Sequence, residues 1–205
     1  MKSFSKYLSV QFHPLLMVCY AAAIYLYLLP LDGEIIDSRI RLILMGFLLC
    51  GTVFIPLFLT MVILRFSPAK SMQMTEPKER NWPLLFTAVV YFFCYFSLTA
   101  KQVPVFVKLF LLGSIAGILL SLLINLRWKI SLHMTGIGGL CGAICAILLL
   151  AGIHMPWLAA GSFLLAGMLG TARLYLDAHS PQQVAAGFFL GFALEFSTVF
   201  FLLEH

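Results

Sequence analysis

The chain has 205 residues, of which 62% are hydrophobic and only 10% are charged, with 13 Lys and Arg against 8 Asp and Glu. Soluble globular domains are about half apolar and about a quarter charged, so this composition excludes that class. The sequence predicts an all-α protein with a single transmembrane domain over residues 1–205, a polytopic helical bundle of six to seven spans.

The predicted spans follow one another along almost the whole chain, because each apolar stretch reaches the roughly 20 residues needed to cross a bilayer. The first is expected over about residues 14–29. The basic segment before it, residues 1–6, is interpreted as preceding a retained helix and not a cleaved signal peptide. The other predicted spans cover residues 40–66, 82–99, 104–126, 131–152, 157–176 and 184–203.

The order of the spans sets which connections share a membrane surface. If each span crosses fully, every second connection lies on the surface where the chain begins. That surface receives the polar segments 67–81, 127–130 and 177–183. The opposite surface receives the acidic turn 32–37 and the short turns at Lys101 and His154. We therefore expect three segments that are far apart in sequence to meet at one surface.

These three segments carry the side chains that a phosphate site requires. Phosphate oxygens bind fixed cations and hydrogen-bond donors, and a guanidinium group can hold two of them at once. Two histidines, His133 and His179, could supply a nucleophile and a proton donor, because imidazole titrates near neutral pH. The candidate phosphate-binding residues are Arg80, Lys129, Ser131, Arg173 and Lys78.

The same segments resemble the motifs of the type 2 phosphatidic acid phosphatase superfamily of membrane lipid phosphatases, over about residues 70–195. The motif SRxxxxxHxxxD is matched by Arg173 and His179, with Ala172 at the Ser position and Gln183 at the Asp position. The motif PSGH is matched at its Ser and His positions by Ser131 and His133.

The remaining motif, KxxxxxxRP, is matched at its Arg position by Arg80, whereas Met74 stands at the Lys position and Asn81 at the Pro position. The resemblance implies that His179 is a nucleophile forming a phosphohistidine and that His133 is the acid for the leaving group. It implies Arg80, Ser131 and Arg173 as phosphate ligands, whereas Lys129 is a candidate from its position alone.

The expected function is removal of phosphate from a lipid phosphate or diphosphate, without a metal or another cofactor. Gln183 counts against full activity, because an amide fixes the tautomer of a neighbouring histidine but does not stabilise its positive charge. In the serine-protease template, that exchange costs about 10⁴ in rate. Asp177 is the alternative orienting residue. A lipid phosphotransferase and a non-catalytic member that binds or moves phospholipid are the alternative functions.

Three ionisable residues outside the motifs are also interpreted. Glu195 lies midway along the last span, where a charge is costly. A structural hydrogen bond is the first interpretation, and a role at a lipid tail or in proton transfer is the second. His13 and His154 are interpreted as interfacial residues outside the site.

The expected partners are membrane lipids and a lipid phosphate, with no nucleic acid. The expected location is a bacterial inner membrane. Most of the 13 Lys and Arg residues lie on the surface that carries the site, which by the positive-inside bias would make that surface cytoplasmic. Several of these cations are candidate phosphate ligands, however, and the family resemblance favours a site on the outer, periplasmic face.

Overall fold

The structure, a computed structural model, describes residues 2–29, 36–66, 77–98 and 103–203, except the side chains of Phe66, Pro77 and Lys78. In these ranges the chain is helical and contains no β-strand. A π-helix, Leu49–Phe54, joins the third and fourth α-helices, and short 3-10 helices cover Pro14–Leu16 and Pro77–Arg80. The α-helices are α1 (Lys2–Gln11), α2 (Met17–Leu28), α3 (Ser38–Leu48), α4 (Ile55–Phe66), α5 (Asn81–Ser97), α6 (Val105–Asn125), α7 (Leu132–Leu150), α8 (Pro156–Tyr175) and α9 (Pro181–Leu203).

The helices form the predicted membrane bundle. Within the described residues, six helical stretches are long and apolar enough to cross a bilayer: Lys2–Leu28, Ser38–Arg65 and each of the helices α6 to α9. Helix α5 is apolar but shorter, with 17 residues, which corresponds to a length of about 25 Å. The prediction of an all-α integral membrane protein with six to seven spans is confirmed.

The helix boundaries differ from the predicted ones at two places that matter for the site. Residues before Pro14 form a separate helix, α1, which packs against α8. Helix α9 begins at Pro181, so Gln183 lies in its first turn and not in the preceding polar turn. Ser180 precedes Pro181, and a Ser followed by Pro is a common start of a helix because the Ser hydroxyl accepts from an N–H of the first turn and Pro has no N–H that needs a partner.

Close packing of α7 against α9 fixes the centre of the bundle. A Cβ atom added to Gly138 would overlap the carbonyl oxygen of Phe188, and one added to Gly191 would overlap that of Thr135. Small residues at such positions let two helix backbones approach closely in a membrane. This contact places the first turn of α7, which contains His133, next to the beginning of α9.

Candidate functional site

A cavity of about 730 Å³ extends from the connections at one end of the bundle into its interior. Helices α1, α2 and α4 to α9 all contribute to its wall. The predicted convergence of distant segments is found here, since one cavity collects residues from the connections before α5, before α7 and before α9. The predicted site residues on its wall are Arg80, Lys129, His133, Arg173 and His179.

His179 lies between α8 and α9 and is only 8% exposed. Its Nδ1 atom is 3.3 Å from Oε1 of Gln183. The same Oε1 accepts a hydrogen bond from the backbone N–H of Ser180 at 3.0 Å, which identifies it as the oxygen of the amide. His179 therefore donates its Nδ1 proton to Gln183, and the lone pair of Nε2 remains available for attack on an electrophile.

Gln183 is held by a capping arrangement at the start of α9. Its backbone N–H donates to the Ser180 hydroxyl at 3.4 Å, while its side chain accepts from the Ser180 N–H. This reciprocal Ser-x-x-Gln pattern satisfies two backbone donors of the helix start. Its geometry makes Gln183, and not Asp177, the residue that contacts His179, and thereby answers a question left open by the sequence.

Asp177 ends α8 instead. It has a φ angle of 52°, in the left-handed region, and its backbone N–H donates to the Leu174 carbonyl at 2.9 Å. The following N–H, from Ala178, donates to the Arg173 carbonyl at 3.2 Å. These bonds form a helix C-terminal cap, a position where Gly is most common and Asp is tolerated. Asp177 also lines the cavity.

The electrostatic environment keeps the His179 ring neutral at physiological pH. Burial lowers its pKa from 6.5 to about 4, and the positive charges of Arg80, Arg173 and Lys129 act in the same direction. The hydrogen bond to Gln183 opposes this shift only in part. A neutral imidazole surrounded by three cations has the charge state that a nucleophile needs beside an anionic phosphate.

Arg80 reaches the cavity from the short helix before α5. It is 8% exposed, and burial together with the neighbouring Arg173 lowers its pKa, whereas Glu79 raises it. The next residue, Asn81, accepts a hydrogen bond through Oδ1 from Nδ2 of Asn125 at 2.9 Å. This amide pair joins the start of α5 to the end of α6 at the position where the resembled motif has proline. It thereby fixes the segment that carries Arg80.

Arg173 is the last cationic group of α8 and is held by the amino-terminal helix. Its Nη1 donates to the Ser9 hydroxyl at 3.2 Å, and that hydroxyl donates to the Ser5 carbonyl at 2.9 Å. The Nε atom of Arg173 is buried and has no hydrogen-bond partner within the described ranges. The guanidinium is anchored through Nη1 on a residue that lines the cavity, a position suited to binding an oxyanion there.

His133 is also held by α1. Its Nε2 atom is 2.9 Å from the Ser9 carbonyl oxygen. A carbonyl only accepts, so Nε2 carries the proton and Nδ1 carries the lone pair in the neutral ring. The expected role as acid for a leaving group would therefore require a second proton, on Nδ1, or release of the Ser9 contact.

The sequence interpretation of His13 was wrong. Instead of an interfacial residue outside the site, His13 lines the cavity and packs edge-on against His133, with the ring centroids 5.4 Å apart. Its Nδ1 accepts a hydrogen bond from the backbone N–H of Leu15 at 3.3 Å. Lys6 and Ser9 of α1 also line the cavity and were missed. The sequence did contain a signal for these residues, because the parity of the spans places the amino terminus on the same membrane surface as the polar connections.

The other two predicted phosphate ligands are Ser131 and Lys78. Ser131 is fully buried and is not part of the cavity wall; its backbone N–H donates to the Gln183 carbonyl at 3.4 Å. The Ser131 hydroxyl has no partner in the part of the chain that the structure describes. Lys78 belongs to the 3-10 helix Pro77–Arg80, but its side chain lies outside the described atoms. Met74 lies outside the described residues altogether.

Glu195 lies on the cavity wall, deeper than the residues above, and is 3% exposed. Its Oε1 accepts a hydrogen bond from the Ser114 hydroxyl at 2.9 Å. This contact is the structural hydrogen bond expected first from the sequence.

No set of three or more His, Cys, Asp or Glu side chains is arranged as metal ligands among the residues described.

Comparisons of the chain with protein-family models, characterised proteins and solved structures find no match. The case for a function therefore depends on the residues and contacts of this chain itself.

Proposed function

We propose that the protein is a membrane-embedded, metal-independent lipid phosphatase that acts through a phosphohistidine intermediate on His179. The observation that carries this proposal is the position of a neutral His179 ring, with Nε2 unprotonated, on the same cavity wall as Arg80, Lys129 and Arg173. Cations around a nucleophile are the arrangement that phosphoryl transfer requires, because the transferred group is anionic in the ground state and in the transition state.

The proposed first step is attack of His179 Nε2 on the phosphorus atom. A phosphorus–nitrogen bond forms, the bond from phosphorus to the lipid oxygen breaks, and that oxygen takes a proton. His133 is the proposed proton donor, and the negative charge of the bound phosphate favours the second proton, on Nδ1, that this role requires. Arg80, Lys129 and Arg173 stabilise the phosphoryl oxygens. In the second step, water attacks phosphorus and gives a proton to His133, and the phosphorus–nitrogen bond breaks, which releases phosphate and restores both histidines.

The membrane location supports a lipid as the substrate. The cations and imidazoles of the proposed phosphate site lie in or next to the connections at one end of six apolar stretches, a position that suits the level of the bilayer surface. A lipid whose phosphate group lies at this level can keep its hydrocarbon chain in an apolar environment. We include in the proposal a bacterial inner membrane as the location and its outer face as the side of the site.

One observation favours a second candidate, a non-catalytic member that binds or moves phospholipid. Gln183 offers an amide oxygen to His179 where a carboxylate would stabilise a positive ring.

If the phosphohistidine forms but a lipid or sugar hydroxyl intercepts it, the protein is instead a phosphotransferase, and no water is consumed.

The test is phosphate release by the purified protein from phosphatidate and from an isoprenoid diphosphate, beside His179→Ala. The matched control is His154→Ala, because His154 is exposed at the opposite end of the bundle. We expect release that is lost in His179→Ala and kept in His154→Ala. Binding without release in all three proteins would favour the non-catalytic alternative. Label from the phosphate appearing in an added alcohol would identify a phosphotransferase.

A further inference from the structure

The cavity continues well beyond the proposed phosphate site. Along α6 its wall extends from Ser121, one turn before Asn125, to Phe110. These two residues are eleven positions apart in one helix, about 16 Å. Apolar side chains such as Leu84, Ile118 and Met17 line the space between. Its volume of about 730 Å³ falls in the range of roughly 300–1,000 Å³ that is typical of small-molecule sites.

The inner end of the cavity contains one buried acid, Glu195. Its Oε1 is occupied by the Ser114 hydroxyl, whereas Oε2 has no hydrogen-bond partner among the described residues. Two glycines make room for the carboxyl group: a Cβ atom on Gly113 would overlap Oε2, and one on Gly139 would lie 2.8 Å from Glu195 Cγ. Gly113 and Glu195 are both part of the cavity wall, and Oε2 packs against Gly113, so a ligand oxygen reaches it only when the Glu195 side chain turns into the cavity.

The chemistry of this oxygen depends on the charge of the carboxyl group. The Ser114 hydroxyl is the hydrogen-bond partner that the structure shows for the Glu195 carboxyl group. An unpaired carboxylate in a membrane interior is costly, so the neutral acid is the expected form. With Oε1 accepting from Ser114, the proton lies on Oε2, which becomes a donor without an acceptor.

We propose that the inner end of the cavity binds an uncharged oxygen atom of the ligand, a hydroxyl, ether or carbonyl oxygen on its chain, with Glu195 Oε2 as the donor. This inference rests on the proposed function, because it takes the phosphate of the same molecule to lie at Arg80 and Arg173. The substrate class is then a phosphorylated amphiphile whose chain carries an oxygen at a set distance from the phosphate. A plain hydrocarbon chain would leave the buried donor unpaired.

The test compares three series of synthetic probes: alkyl phosphates from octyl to hexadecyl, the same compounds with a terminal hydroxyl, and the same compounds with a terminal ammonium group. Binding to the full-length protein in lipid nanodiscs is measured by calorimetry against empty discs. We expect the hydroxyl to tighten binding by about tenfold at one chain length and by less at the others. Phosphate release from the same probes is measured in parallel.

Variants of the acid sharpen the test. Glu195→Gln is expected to keep the preference for the hydroxyl, since its amide accepts from Ser114 and donates an N–H. Glu195→Leu is expected to abolish the preference. Ser197→Ala, which changes an exposed hydroxyl of the same helix, is the matched control and should keep it. If Glu195→Leu does not fold, the chain-length dependence of the wild type and the Gln variant decide the question.

Several outcomes would overturn the inference: no hydroxyl preference at any chain length, the same preference in Glu195→Leu, or no binding of any probe. Tighter binding of a terminal ammonium than of a terminal hydroxyl would also overturn it, because that result indicates a charged carboxylate. Phosphate release without a hydroxyl preference rejects only the subsite. A hydroxyl preference without release keeps the subsite and rejects the phosphatase.

Discussion

Gln183 has two partners through a single oxygen atom, the Ser180 N–H of the α9 cap and the Nδ1–H of His179. The cap alone is a sufficient reason for a Gln or Glu at this position, because either residue completes the Ser-x-x-Gln/Glu pattern. The contact with His179 adds a second use of the same atom. The amide sets the tautomer of the ring without adding charge to it.

Replacing Gln183 by Glu should therefore increase the rate of phosphate release if His179 is the nucleophile. The carboxylate keeps the cap and stabilises the positive ring that forms during attack, a contribution that reaches about 10⁴ in the serine-protease template. We expect an increase of at least about tenfold in kcat at pH 8. The measurement is steady-state phosphate release, with Gln182→Glu as the control for added charge at an exposed neighbouring position. An unchanged or lower kcat would contradict the role of His179.

The low pKa of His179, about 4, predicts the pH dependence of the wild type. The ring attacks only when it is neutral, so activity that depends on His179 is lost as pH falls through about 4, and not through the ordinary 6.5. As pH falls from 7 to 5 we expect no loss of kcat/KM, after correction for ionisation of the substrate. The substrate is titrated separately by phosphorus NMR. A residual acid limb near pH 6.5 would mean that a different group controls attack or that the ring is not buried.

At the scale of helices, the contact between α7 and α9 sets the relative positions of His133 and the cap that holds His179. Gly138→Ala should disrupt that contact, because the added methyl group meets the Phe188 backbone and neither helix can move without shifting the other. We expect a loss of about 1–3 kcal/mol in unfolding free energy, typical of overpacking. The measurement is unfolding of the solubilised protein by denaturant.

The control for that substitution is Gly161→Ala in α8. Nothing lies within 4 Å of a Cβ atom at Gly161, so we expect no loss, and a gain of up to about 1 kcal/mol from helix propensity. Equal destabilisation by the two substitutions would show that the packing of α7 on α9 is not the cause.

How far the sequence could predict this arrangement varies from element to element. The spans and the convergence of the polar connections follow from hydropathy and from the parity of crossings, both of which are local properties of the chain. Helix α1 was missed because its ten residues are too few and too polar to be read as a span, although they supply Ser9 and lead directly to His13. Which atom of His133 is bonded depends on packing, which hydropathy does not encode.

The Gln183 contact could have been foreseen in part, since the Ser-x-x-Gln pattern is visible in the sequence. The resemblance to a phosphatase motif emphasised the missing carboxylate instead. The depth of the cavity and the unpaired Oε2 atom of Glu195 result from the packing of several helices against one another. The spacing of residues in the sequence alone does not define them.

At the scale of the whole molecule, the crossings put the site connections on one membrane surface and His154 on the other. We predict that Arg127→Cys and Gln182→Cys, in a background without the native cysteines, react with a membrane-impermeant maleimide from the same side. His154→Cys should react only from the opposite side. The proposed outer location of the site further predicts labelling of the first two in intact cells. Labelling of positions 127 and 182 from opposite sides would contradict the arrangement of the spans.

The π-helix Leu49–Phe54 in the second span has a consequence for the cavity. The Thr52 carbonyl has no α-helical donor, because the residue four positions later is Pro56, which lacks an N–H, and the Tyr91 hydroxyl donates to that carbonyl at 3.2 Å. A π turn accommodates one residue more than an α turn. Deleting a single residue from this segment would therefore convert it to regular α-helix and leave the facing of α4 nearly unchanged, because the shorter α segment turns about as far as the longer π segment. Leu57 and Thr60 would still line the cavity, so the π turn absorbs the extra residue without changing which face of this span meets its neighbours.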